Sequence, residues 1–166
     1  TINGGNEANF TSLLTHETNG LVSVTDHNLT VGSGTDQNIS VANAILLAAT
    51  TTGTVTSAID TTESVDSLKT LFDAGETHAL TIVINANDAT GQTAAEFNAI
   101  NDATSVAVNA SAVTSVAASP ISDIDTLLAA AAGGEITGLS NLTELIISDT
   151  GTINASSINT IVTNAD

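Results

Sequence analysis

Leu80-Thr81-Ile82-Val83-Ile84-Asn85 is followed, after a short polar stretch, by Thr93-Ala94-Ala95-Glu96-Phe97-Asn98-Ala99-Ile100 and then by Ser105-Val106-Ala107-Val108. In the first segment Leu80, Ile82 and Ile84 alternate with Thr81, Val83 and Asn85, which predicts a strand. In the second, Thr93 followed three residues later by Glu96 reads as a capping box, so a helix starts there. The third alternates again. Short, mostly apolar strands separated by helices require crossovers, and crossovers make the strands parallel.

The same rhythm extends outward in both directions. Helical segments are expected at 6–15, 41–49, 63–74, 93–103, 120–132 and 156–164. In 63–74, Val65, Leu68, Leu71 and Phe72 form one apolar stripe. In 120–132, Ser119-Pro120 supplies a cap and a first-turn proline, and Gly133-Gly134 the stop. Between the helices lie β-branched runs at 21–24, 29–31, 54–59, 80–85, 105–108, 113–116, 145–148 and 152–154. An Asp or Asn stands just past most strands, at Asp26, Asp60, Asp88, Asn109 and Asp149.

The unit is therefore a strand, a turn, a helix and a return. Five such coils are expected to follow an N-terminal helix, giving a right-handed parallel β/α solenoid, loosely leucine-rich-repeat-like. Residues 1–20 would be a lead-in with a helix, and 21–166 one solenoid domain. An open doubly wound α/β sheet is the alternative, because it too alternates strand and helix. The short, similar units and three-turn helices favour the solenoid. In it Ile82, Val106 and Ile146 would face one core.

Composition narrows the function. One basic side chain, Lys69, stands against 18 carboxylates, for a net charge of −17. Nucleic acid and anionic membrane surfaces need Lys and Arg to replace counterions, so both are excluded as partners. The absence of Cys removes disulfides, Cys-ligated zinc and thiol catalysis. The longest apolar run, 41–49, is far too short to span a bilayer, so no membrane insertion is expected. A start at Thr1, with no basic n-region, fits a processed chain or an excised piece.

Ile136-Thr137-Gly138-Leu139 together with Ser148-Asp149-Thr150-Gly151-Thr152-Ile153-Asn154-Ala155-Ser156-Ser157 resembles the tandem repeats of very large cyanobacterial secreted surface proteins. The resemblance is strongest over 136–166, and Thr51-Thr52-Gly53-Thr54-Val55 echoes the same element. It implies a secreted structural or adhesive repeat, extracellular or at the cell surface, and brings no catalytic residues.

Little else carries chemistry. His16, His27 and His78 are dispersed, and neither a nucleophile elbow nor a phosphate-binding glycine loop occurs. Gly32-Ser33-Gly34-Thr35-Asp36 fits only part of a calcium nonapeptide, so a Gly/Asp turn is favoured there. Stacked turns could bring Asp26, Asp60, Asp88 and Asp149 into a ladder that chelates calcium; capping of helix starts and turns is the competing role. Six Asn-x-Ser/Thr sequons occur, at Asn9, Asn28, Asn38, Asn109, Asn141 and Asn154. The expected function is a non-enzymatic structural protein stacking head to tail into a fibre, sheath or surface layer. Its partners would be copies of itself, with Ile2 and Phe10 docking into the neighbour. The alternative is an adhesin-type module whose exposed Thr/Asn strand face binds glycans.

Overall fold

The computed structural model describes residues 1–32, 38–71, 78–88 and 90–152. It is a mixed α/β structure of helices and small parallel sheets, and the described strands form no closed barrel. The strands are β1 (Ile2–Gly5), β2 (Leu29–Val31), β3 (Asn38–Ile39), β4 (Val55–Ile59), β5 (Ala79–Thr81), β6 (Val108–Asn109), β7 (Ser115–Ser119), β8 (Ile136–Thr137) and β9 (Glu144–Ile147). The helices are α1 (Glu7–Thr18), α2 (Val41–Thr50), α3 (Val65–Leu68), α4 (Ala94–Asp102) and α5 (Ile121–Gly133).

Every pairing among the described residues is parallel. β1 pairs with β2, β2 and β3 pair with β4, and β4 pairs with β5. A single bridge, Val83 to Asn109, joins this sheet to the β6–β8 pair. β7 and β9 form a separate pair. Paired residues lie 20 to 29 positions apart, from Asn38–Ala58 to Ser115–Glu144. Each strand thus pairs with the strand about one strand–helix unit away.

Local chemistry starts each helix. Asn6 and Asn9 cap α1 reciprocally, Ser40 caps α2, Ser64 caps α3, and Thr93 with Glu96 forms the capping box of α4. Helix α5 ends where Gly134 turns left-handed, at φ 79. Its start differs from expectation. Pro120 is the N-cap and offers no side-chain acceptor, while Ser119 turns away toward α4, where its hydroxyl oxygen accepts from the Ala94 amide.

The core is mostly aliphatic and continuous, with Phe10 and Phe97 as its aromatic members. Leu29, Val55, Leu80, Ile82 and Val108 of the strand segments are buried against Leu47, Leu68, Phe97, Ile100 and Leu127 of the helices. Two close approaches fix the spacing between units. A Cβ on Gly138, which has φ +86, would lie 2.6 Å from the Ser111 backbone. One on Gly53 would meet the His27 carbonyl within 2.5 Å.

Other expectations need correction. Residues 1–5 are not a loose lead-in: β1 adds a strand to the sheet, and α1 packs on α2. Phe10 is not an exposed anchor: it is 4% exposed, within the chain's own core, and Ile2 packs beside that core. The run 21–24 is not a strand. Leu21 is 70% exposed, and only Val24 turns inward. Ile146 does not share a core with Ile82; β9 alternates so that Leu145 and Ile147 face inward and Ile146 outward. Val106 is only half-buried. The helix expected at 156–164, Phe72 and most of the Gly/Asp turn at 32–36 lie outside the described residues.

Candidate functional site

Of the four aspartates expected to form a ladder, three accept from backbone amides. Asp88 Oδ2 accepts from the Val65 amide at 2.8 Å, and Asp149 Oδ2 from the Ile121 amide at 2.6 Å. Both amides are first-turn helix donors with no partner inside their own helix. Asp60 folds a local turn, accepting from both the amide and the hydroxyl of Thr62 at 2.9 Å. The Thr62 amide, then its hydroxyl, hold the Asp60 carboxyl below its ordinary range. Asp26 receives only a 3.3 Å contact from the Thr52 hydroxyl. Among the described residues no three His, Cys, Asp or Glu side chains converge as a metal site.

Two further acceptors, missed in the sequence, act in the same way. Glu63 Oε1 accepts from the Val41 amide at 2.9 Å, and the Ser119 hydroxyl oxygen from the Ala94 amide at 2.9 Å. Helices α2 to α5 therefore each have their first amide capped by a side chain 22 to 28 residues downstream, from Glu63 on Val41 to Asp149 on Ile121. Carboxylates at a helix N-terminus also meet the positive end of the helix dipole. The signal was present in the sequence: an acceptor recurring one unit after each helix start.

Glu7 runs the other way, from the first helix forward. Its Oε1 accepts from the Asn43 amide group at 2.7 Å, and from the Ser40 amide and hydroxyl at 2.9 Å each. These donors, Asn43 first, keep its carboxyl below the usual range against the opposing effect of burial. Lys69 spans α3 and α4, donating to Asp66 and, at 2.8 Å, to Glu96. Its ammonium is pushed above the ordinary lysine range by Asp66, then Glu96. Burial alone would raise Glu96; Lys69 and Thr93 outweigh it and leave the carboxyl lowered.

The histidines do not meet. His16 closes α1 and His27 is exposed. His78 is buried, and its Nδ1 accepts from the Val55 amide at 3.0 Å. One unit on, Thr104 Oγ1 accepts from the Leu80 amide at 2.9 Å in the same fashion. The imidazole thus serves as a rung between neighbouring strands. The described sequons are mostly engaged too: the Asn28 side chain accepts from Thr54, that of Asn109 from Ser111, and that of Asn141 donates to Ser111. Asn154 lies outside the described residues.

A cavity of about 440 Å³ lies between α4 and α5, lined by Asn98, Asn101, Asp102, Thr126 and Glu135. It offers acceptors and amides but no nucleophile paired with a base. A different surface is formed by the strands. The outward positions of β2, β4, β5, β6 and β8, with Val83, carry Thr, Ala, Val and Asn and no charged residue. Asp60 and Glu135 stand just outside the strand ends. No described helix is long and apolar enough to cross a membrane. No family model matches the chain, and neither a curated protein nor a solved structure matches it.

Proposed function

We propose that this chain is a secreted, non-enzymatic structural module, built as a parallel β/α solenoid that presents its strand face at a cell surface or in an extracellular layer. The observation that carries this reading is the uniform offset: strands pair in parallel about one unit apart, and four helices take their first cap from the following unit. In a solenoid each unit contacts mainly its neighbours, so stability is a sum of unit and interface contributions. Polar side chains across the molecule are engaged in capping, which supports a scaffold rather than a catalyst. The resemblance of 136–166 to secreted surface repeats points the same way.

Excision of one whole unit tests the architecture. Removing residues 79–104 joins His78 to Ser105, which lie at corresponding points of adjacent units. The shortened chain should remain folded, with a cooperative thermal transition. A doubly wound sheet could not heal such a cut, and a chain that no longer folds would count against the solenoid.

Head-to-tail stacking into a fibre is the second reading. It is favoured by the outer edge of β1, which pairs only with β2 on its other side. The first helix argues for a closed end. Of its twelve residues only Phe10 is buried, and Ala8, Asn9, Thr11, Ser12, Thr15, His16 and Thr18 are exposed. A polar outer face is what a capping unit requires. Sedimentation at high protein concentration and high salt separates the two: a monomer supports the surface module, whereas a polymer lost on deleting β1 supports the fibre.

A further inference from the structure

We infer that His78 is a pH-sensitive latch between the units of β4 and β5, closed while its imidazole is neutral and released when the ring is protonated. Thr51, His78 and Thr104 stand 27 and 26 residues apart, each ahead of a strand, β4, β5 and β6 in turn. Each reaches back one unit. The Thr51 hydroxyl donates to the His27 carbonyl at 2.6 Å, and the Thr104 hydroxyl to the Leu80 carbonyl at 2.7 Å. Thr104 Oγ1 also accepts from the Leu80 amide at 2.9 Å, as His78 Nδ1 accepts from the Val55 amide at 3.0 Å. The hydroxyls keep their lone pairs at any ordinary pH, and the imidazole does not.

Geometry fixes the protonation state that the bond needs. A ring nitrogen that accepts from an amide carries no proton, so the neutral ring holds its hydrogen on Nε2. In the charged ring both nitrogens donate, and an N–H at Nδ1 would face the Val55 N–H. His78 is 4% exposed and Val55 fully buried, so bulk water does not replace the lost acceptor. The next unit holds His78 in place, because its carbonyl accepts from the Ser105 amide at 2.9 Å and the Ser105 hydroxyl at 3.0 Å. Of the ionisable groups on the flanking elements, Asp66, Lys69 and Glu96 are paired with one another, and His27 and Asp102 are exposed. Asp73 and Glu76, which precede His78 in the chain, lie outside the described residues. An opened chain takes up the proton freely, whereas the closed latch takes it up only by breaking its bond. Opening is therefore favoured as the pH falls through the range in which imidazoles titrate.

Amide hydrogen exchange on the intact chain reads the latch directly, because Val55 and Leu80 are matched amides with different acceptors. Between about pH 7.5 and about pH 5.5, the protection factor of Val55 should fall at least about tenfold relative to that of Leu80. Taking the ratio cancels the relief of charge repulsion, which acts on both amides. His78→Thr installs the hydroxyl of the flanking units and should make the ratio independent of pH. His16→Gln/His27→Gln removes the two exposed histidines and should leave the ratio falling as in the parent. A constant ratio in the parent chain overturns the inference. So does a fall that persists in His78→Thr, or one that disappears in His16→Gln/His27→Gln. If His78→Thr does not fold, the parent chain and the double variant still decide the matter.

Discussion

The first unit, β1 with α1, and the interior unit from β5 through α4 are built from the same parts but bury very different amounts. The interior unit hides Leu80, Ile82, Ile84, Ala94, Phe97, Ile100 and Ala103. In α1 the one fully buried side chain is Phe10. The difference is one of neighbours. An interior helix is packed on both flanks, α4 against α3 and α5, whereas the main helix neighbour of α1 is α2. The end helix compensates with polar ties: its own Asn6–Asn9 capping box, and Glu7 reaching to Ser40 and Asn43.

The largest effect should come from placing a charge in the interior unit. Leu80→Asp buries an unpaired carboxylate at a cost of several kcal/mol and should abolish the cooperative transition. The same change at Ile146, 43% exposed, should leave the melt nearly unaltered. Equal damage at both sites would show that the alternation read for β9 is wrong.

Truncating the two phenylalanines compares the units directly. Phe97→Ala should cost about 3–5 kcal/mol in chemical denaturation. Phe10→Ala should fall at or below the low end of that range, because a unit with one neighbour can relax into the space. If Phe10→Ala proves the costlier, the end unit is a nucleus of stability and not a cap.

Removing the inter-unit acceptors is expected to be milder. Asp88→Ala or Ser119→Ala leaves one helix amide uncapped, for about 1 kcal/mol each. The loss should appear as a lower denaturation midpoint with an unchanged denaturant slope.

The smallest effect is the response to acid. Glu7 and Glu96 have folded-state values below their ordinary 4.5, so each adds stability that is complete above that pH. It is lost as the pH falls through the depressed folded-state values. Lower pH also relieves the repulsion of a −17 chain, so the measurement belongs in high salt, where that relief is screened. There Glu7→Gln should flatten the fall in stability below pH 4.5, relative to the parent chain. An unchanged pH slope would remove Glu7 as a link between the first two units.

Much of this architecture could be read from local signals. The Thr93–Glu96 box located the start of α4 and the glycines the end of α5, because those signals are contained within a few residues, whereas the helix expected over 63–74 forms among the described residues only as α3, Val65–Leu68. What escaped was set by the neighbouring unit. Ile2-Asn3-Gly4-Gly5 has no strand pattern of its own and becomes β1 because β2 offers an edge. Leu145-Ile146-Ile147 is apolar throughout, so only its partner β7 fixes which side faces in. Asp88 and Asp149 were visible in a column of aspartates, but the amides that donate to them lie one unit back, beyond the reach of local sequence. The uncharged strand face is legible once the register is known, and not before.

The direction of those caps has a consequence for how the chain is made. The acceptors for Val41, Val65, Ala94 and Ile121 all come from residues synthesised later. A chain leaving the ribosome N-terminus first presents each new helix with an open amide end until roughly another two dozen residues have emerged. Maturation therefore trails synthesis by one unit, and the most recently made helix is always the least finished. Glu7 is the exception, for it is already waiting when Ser40 and Asn43 arrive.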